Sequence, residues 1–154
     1  MKPIRFILLI AGLIFVAIQF IRPSRNKTGL MPDTDITKVV NLPDSVQHIL
    51  KKACWDCHSD NTRYPWYFNV QPVGWLLSRH IKEGKSNLNF SEFVTYGPRQ
   101  QMSKLDEIID ALSDNIMPLP SYKFMHKDAR LGKSEVTQLI NWAENAEDSI
   151  SGKK

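Results

Sequence analysis

The pentapeptide Cys54-Trp55-Asp56-Cys57-His58 constrains this chain more than any other stretch. Two cysteines three positions apart, with a histidine directly after them, form the attachment signature of a c-type haem. Each thiol can add across one vinyl group, which fastens the backbone to two neighbouring edges of a porphyrin. His58 then stands beside the iron, where a neutral imidazole nitrogen is a good ligand and the covalent anchors keep it at high effective concentration. Other chemistries use the same residues. A redox dithiol belongs in a βαβ setting, and no strand-like alternation flanks the motif. A structural zinc site needs four ligands, and only His48, His80 and His126 remain to complete one. Two buried thiols beside a chance histidine is the plainest alternative. Both cysteines of the chain lie inside the motif, which favours haem.

The chain has 154 residues, enough for one modest domain with an appendage. Its pI near 9.1 comes from one end. Lys2, Arg5, Arg22, Arg25 and Lys27 fall within the first 27 positions, which hold no acid, and the remainder has 15 basic against 16 acidic residues. A phosphate-binding surface needs clustered excess charge, so no nucleic-acid partner is expected.

Lys2 and Arg5 precede an apolar run from Phe6 to Val16 that continues through Ala17 and Ile18, past Gln19, to Phe20 and Ile21. As a helix of about 16 residues it would span roughly 24 Å, short of a full hydrocarbon core but workable with flanking Lys and Arg side chains reaching outward. No small-x-small cleavage site follows, and neither cysteine lies near its end, so residues 1–22 are read as an uncleaved membrane anchor. Positive charge flanks both ends. Covalent haem attachment belongs to the exported side of a bacterial membrane. The expectation is therefore a single-pass inner-membrane protein with its haem domain on the periplasmic, extracytoplasmic side.

Residues 23–42, with Pro23, Ser24, Asn26, Gly29 and Pro32, read as a tether. Pro43 and Asp44 suit a helix start. Val46, Ile49, Leu50 and Ala53 then follow the i, i+3, i+4, i+7 pattern of one buried face, with His48 pointing to solvent. After the motif, Asn61-Thr62-Arg63-Tyr64-Pro65-Trp66-Tyr67-Phe68 is either a packed structural loop or one wall of a haem crevice. In the second case Tyr64, Trp66 or Arg63 could bond a propionate.

The order of these elements, with Cys-x-x-Cys-His-Ser, Thr-Arg-Tyr-Pro-Trp-Tyr, Asn89-Phe90-Ser91-Glu92 and Met117-Pro118-Leu119-Pro120-Ser121-Tyr122, resembles the small bacterial haem-binding domain family. Its members are membrane-tethered proteins similar to monohaem cytochromes c. Cys54, Cys57 and His58 match the family's attachment motif, and Met117 its Met-Pro element. The resemblance covers nearly the whole chain and implies that the first and last helices of the haem domain pack against each other.

Val73, Leu76, Leu77 and Ile81 form a second helical stripe, with Gly84 as its expected left-handed cap. His80 could face inward, and Trp75 with Arg79, one turn apart, could reach the haem edge or form a surface pair. Met102, Leu105, Ile108, Ile109 and Leu112 mark a longer helix whose Asp106, Glu107 and Asp110 form a solvated face. Pro118 disfavours helical backbone at Met117, so the helix should end there and present the thioether to the open face of a haem. His58 and Met117 are 59 residues apart, room for two helices around a porphyrin. Met117 is the expected sixth ligand; Met125, Met102, His80 and an open site are the alternatives. Ser121 could cap Tyr122–His126, Gly132 with Glu135 resembles a weakened capping box, and Val136, Leu139, Ile140 and Ala143 give the last helical face.

These readings describe an all-α domain over residues 43–148, wrapped around one covalently attached haem c and its iron, with a disordered tail from about Asp148 and a redox partner protein. One-electron transfer is the expected function. A small-ligand sensor or peroxidase-like protein with an open sixth site is the alternative from another class, and a tethered module without haem is a third.

Overall fold

A computed structural model describes residues 2–29 and 31–152. Within them lie seven α-helices: α1 (Lys2–Ile18), α2 (Asp44–Ala53), α3 (Trp55–His58), α4 (Val73–Asn87), α5 (Pro98–Ser113), α6 (Pro120–Met125) and α7 (Lys133–Ser151). The described residues contain no strand, only an isolated antiparallel bridge between Lys27 and Asn61. The all-α expectation therefore holds.

The core forms where the amphipathic faces meet. Val46, Ile49 and Leu50 of α2, Leu105 and Leu112 of α5, and Leu139, Trp142 and Ala143 of α7 are buried in one cluster with Phe90 and Phe93. Ten residues are too few for an isolated helix to persist in water. Burial of its apolar stripe, worth roughly 1.5–3 kcal/mol per large side chain, is what makes α2 stable. The resemblance implied packing between the first and last helices of the domain, and α2 does contact α7. Polar ties reinforce the pair: Trp142 Nε1–H donates to Asn41 O at 3.0 Å, and Lys52 pairs with Glu135. Glu135 also accepts from the Gly132 N–H at 3.0 Å, the half of the capping box that a glycine permits.

Several expectations are corrected. Among the described residues no helix is long and apolar enough to cross a membrane. Helix α1 stops at Ile18 after 17 residues, because Gln19 leaves the helix and trades two hydrogen bonds with the backbone of Gln71, at 3.1 and 2.9 Å. Phe20 and Ile21 are thereby taken out of the apolar helix, which falls short of the roughly 20 residues a span requires. The single-pass inner-membrane anchor is not supported, and the periplasmic placement expected alongside it from the haem motif is not shown.

The stretch 23–42 is no free tether either. Ile36 and Val40 are core residues, and Asn26 is bonded to Ser59 O, Thr62 Oγ1 and Tyr64 Oη at 2.6–3.0 Å. Leu30 of that stretch lies outside the described residues, as do Met1, Lys153 and Lys154 of the two ends. Order persists further into the expected tail than anticipated: α7 runs to Ser151 and is closed by Gly152 at φ +71°. Helix α6 starts at Pro120 rather than being capped by Ser121.

One feature of the α5–α7 packing predicts pH dependence. Burial, followed by the charge of Asp106, pushes the Glu147 carboxyl up to about 7 from an ordinary 4.5. Between those values the folded chain holds more protons than the unfolded one, so this group makes stability fall as pH rises through the window. Glu147→Gln is expected to raise the melting temperature at pH 8 and give no gain at pH 4. An unchanged melting temperature at pH 8 would contradict that assignment.

Candidate functional site

Positions i, i+3 and i+4 of a helical turn share one face, and Cys54, Cys57 and His58 have that spacing. Cys54 closes α2 and opens α3, its carbonyl accepting from the N–H groups of Cys57 at 3.1 Å and His58 at 3.0 Å. The turn sets two thiols and an imidazole side by side and sends Asp56 the other way, into the interior.

Helix α4 packs against this turn. Gly84 makes the approach possible, since a Cβ there would lie 2.7 Å from Cys57 O and 3.2 Å from Cys57 Cβ. It was expected to cap the helix; instead α4 runs on to Asn87, and the glycine serves close packing. The stripe expected to be buried on α4 is partly open, with Ile81 inside but Leu76 52% exposed. Leu88, extended after the helix, presents its carbonyl 3.0 Å from His58 Nδ1. Burial lowers the His58 pKa and favours the neutral ring. In that form Nδ1–H donates to Leu88 O, and the lone pair is left on Nε2, where it is able to ligate a metal.

The thiols have the opposite character from a redox dithiol. Burial pushes Cys54 up to about 12 and Cys57 up to about 11, whereas reactive Cys-x-x-Cys pairs have lowered values. Zinc gains no support, because no group of three or more His, Cys, Asp or Glu side chains among the described residues could hold a metal ion.

Two cavities, of about 230 and 220 Å³, adjoin the turn. Leu50, Phe90, Ile108 and Leu112 wall the first; Cys57, His80, Leu119 and Tyr122 wall the second. Cys54, His58, Asn87 and Met117 line both. His58 and Met117 thus stand at the join of two largely apolar lobes. A covalently attached haem with two axial ligands would use such a donor set: two thiols, a neutral imidazole with a free nitrogen, a thioether, and walls that exclude water. The residues present fit it. A larger space of about 430 Å³ between Asn41 and Ser149 mixes amide and hydroxyl side chains with Val46 and Trp142 and has no thiol, imidazole or thioether.

The stop signal before Met117 differs from the one expected. Helix α5 ends at Ser113, four residues before Met117, in a Schellman motif around Asn115 at φ 54°. Asn115 N–H donates to Leu112 O at 3.2 Å and Ile116 N–H to Ala111 O at 3.0 Å. Met117 N–H also reaches Ala111 O, at 3.3 Å, so the residue is held against the helix end that borders the first lobe.

The remaining candidates separate clearly. Tyr64 accepts from the Asn26 N–H at 2.6 Å and sits under Arg25, Trp66 is 77% exposed, Trp75 donates to Ile21 O at 2.8 Å, and Arg79 pairs with Glu83 at 2.7 Å. None of the four lines either lobe. Tyr64 and Trp75 instead fasten the N-terminal segment to the domain. Of the alternative sixth ligands, His80 lines the second lobe, Met125 a smaller neighbouring space, and Met102 neither lobe.

The chain matches the haem-binding domain family over residues 13–145. It belongs to that family. No curated protein and no solved structure shows significant similarity to it. The match begins within α1 and takes in the whole stretch expected to be a tether, in keeping with the packing of Ile36 and Val40 into the core of this haem-binding domain.

Sequence reasoning missed three parts of the site. The Leu88 carbonyl carries no side-chain signal at all. Gly84 could have been found as a glycine inside a helical pattern that continues beyond it. Asp56 is the third. It is only 6% exposed, accepts from Arg63 N–H and Nε at 3.0 and 3.2 Å through Oδ1, and accepts from Tyr122 Oη at 2.7 Å through Oδ2. Burial and the adjacent carboxylate push the Tyr122 phenol upward, so it remains a donor.

Proposed function

We propose that this haem-binding domain attaches haem covalently through Cys54 and Cys57, holds it between His58 and Met117, and transfers single electrons. The observation that carries the reading is the placement of His58 and Met117 on the walls of both lobes, with His58 Nε2 left free by the bond to Leu88. Haem iron, when bound, supplies a one-electron ferric/ferrous couple. The chain's own residues set its conditions. Leu88 fixes the imidazole orientation, Leu50, Phe90 and Leu112 keep water from the first lobe, and Met117 offers a soft thioether that favours the reduced state.

Met117→Ala tests the reading. In haem-loaded protein the substitution is expected to abolish the weak iron–sulfur charge-transfer absorbance and to lower the reduction potential. An unchanged spectrum would move the sixth ligand to another residue, with His80 first in line because it borders the second lobe.

A further inference from the structure

Helix α6 follows directly on Met117-Pro118-Leu119, yet none of its residues is buried, and it packs mainly on the turn Lys127–Ala129 that comes next. Phe124 points largely to solvent, and Met125 is half exposed. In the arm that carries Met117, Pro118 is buried beside the ligand candidate, and beyond it no residue of α6 is. The arm's near end is fixed by the bonds to Ala111, and its far end by a polar contact: Tyr122 Oη donates to Asp56 Oδ2 at 2.7 Å. Asp56 lies between the two cysteines. Its carboxylate is immobilised by Arg63, whose Nη2 bridges Asp56 Oδ2 at 3.2 Å and Lys51 O at 2.9 Å. One hydrogen bond therefore joins the turn bearing His58 to the arm bearing Met117.

We propose that Tyr122 is a positioning residue: its hydrogen bond to Asp56 latches the Met117 arm against the Cys54–His58 turn and sets how readily a small ligand displaces the Met117 sulfur. This rests on the reading of Met117 as sixth ligand. The exchange involves no net redox change; the sulfur's bond to iron breaks and the incoming ligand's bond forms. While the latch is closed, Met117 can leave only by local motion about the Asn115 turn. Once it opens, no buried side chain on α6 opposes its movement, and only the buried Pro118 at the near end still holds the arm.

Tyr122→Phe isolates the latch, because the ring can keep its stacking on His126, where the centroids are 4.1 Å apart and the planes 23° from parallel. The experiment is stopped-flow binding of carbon monoxide to the reduced, haem-loaded protein, with haem retention checked by acid-acetone extraction. Wild type is expected to bind slowly and Met117→Ala quickly. Tyr122→Phe should bind about tenfold or more faster than wild type, the scale set by removing a hydrogen bond to a charged acceptor. Arg63→Lys, which loosens the carboxylate but leaves Tyr122 in place, should shift the rate the same way by less. In a Met117→Ala background Tyr122→Phe should add nothing, as expected when both act through one contact. Wild-type rates in both Tyr122→Phe and Arg63→Lys, with Met117→Ala still fast, would overturn the latch and leave the ligand assignment standing. Wild type binding as fast as Met117→Ala would overturn the ligand assignment and the latch with it.

Discussion

Double replacement of Cys54→Ser and Cys57→Ser is expected to abolish haem that survives acid-acetone extraction, while much of the fold persists. Serine keeps the shape of each side chain but cannot form a thioether. Both thiols are held protonated by burial, so the variant exchanges one neutral group for another and creates no buried charge. The cost is that of two hydroxyls in a poorly solvated turn, about 1–3 kcal/mol each where no partner is found. His58 and Met117 remain, so the double variant should bind haem reversibly and lose it on extraction or dilution. Each single variant should keep one covalent link. Covalently retained haem in the double variant would place the attachment outside the Cys54–His58 turn. Loss of all haem from each single variant would instead mean that the thiols matter to folding more than to attachment.

Gly84→Val is expected to cause a large structural loss at the contact between α4 and the Cys54–His58 turn. A valine in place of glycine gains helix propensity, a few tenths of a kcal/mol in its favour. Against that stands a Cβ 2.7 Å from the Cys57 carbonyl oxygen, a backbone atom that cannot rotate away. Overpacking costs typically about 1–3 kcal/mol, so the clash wins. Helix α4 must slide off α3, and the displacement reaches the ligand: Leu88 N–H donates to Gly84 O at 2.9 Å, and Leu88 O holds His58. The melting temperature should fall by about 5–10 °C, and the haem-loaded fraction should fall with it. Gly12→Ala is the control, since nothing lies within 4 Å of a Cβ there. A rise in melting temperature for Gly84→Val, matching the control in sign, would show that α3 and α4 do not approach this closely.

Much of the architecture was legible before any coordinates. The stripe Val46, Ile49, Leu50, Ala53 is buried as read, as are Leu105, Leu112, Leu139 and Ala143, because a 3.6-residue period needs only one apolar face to declare itself. His48 is exposed, as expected of a residue off that stripe. Period alone misplaced Leu76, which has the right phase but borders an open space beside Cys57 and Met125. The aromatic run after the motif was the least informative. Tyr64 and Trp66 have the composition of a crevice wall, yet what an aromatic packs on is decided by the chain that returns to meet it, here the Arg25–Asn26 segment.

For the site, the sequence by itself determined the donors. Cys54, Cys57 and His58 are bound to share a face once they occupy one helical turn, because that is local geometry, and the apolar run at the N-terminus could be read as a helix for the same reason. Only the tertiary structure decided what those local units meet. It ended α1 at Ile18 through Gln19 and Gln71, 52 positions apart, and so withdrew the membrane span. It brought the Leu88 carbonyl to His58 across 30 positions and thereby selected the nitrogen left free for a ligand. It also joined Asp56 to Tyr122 across 66 positions, a bond no periodicity encodes, since the separation of two partners along the chain does not fix their distance in space.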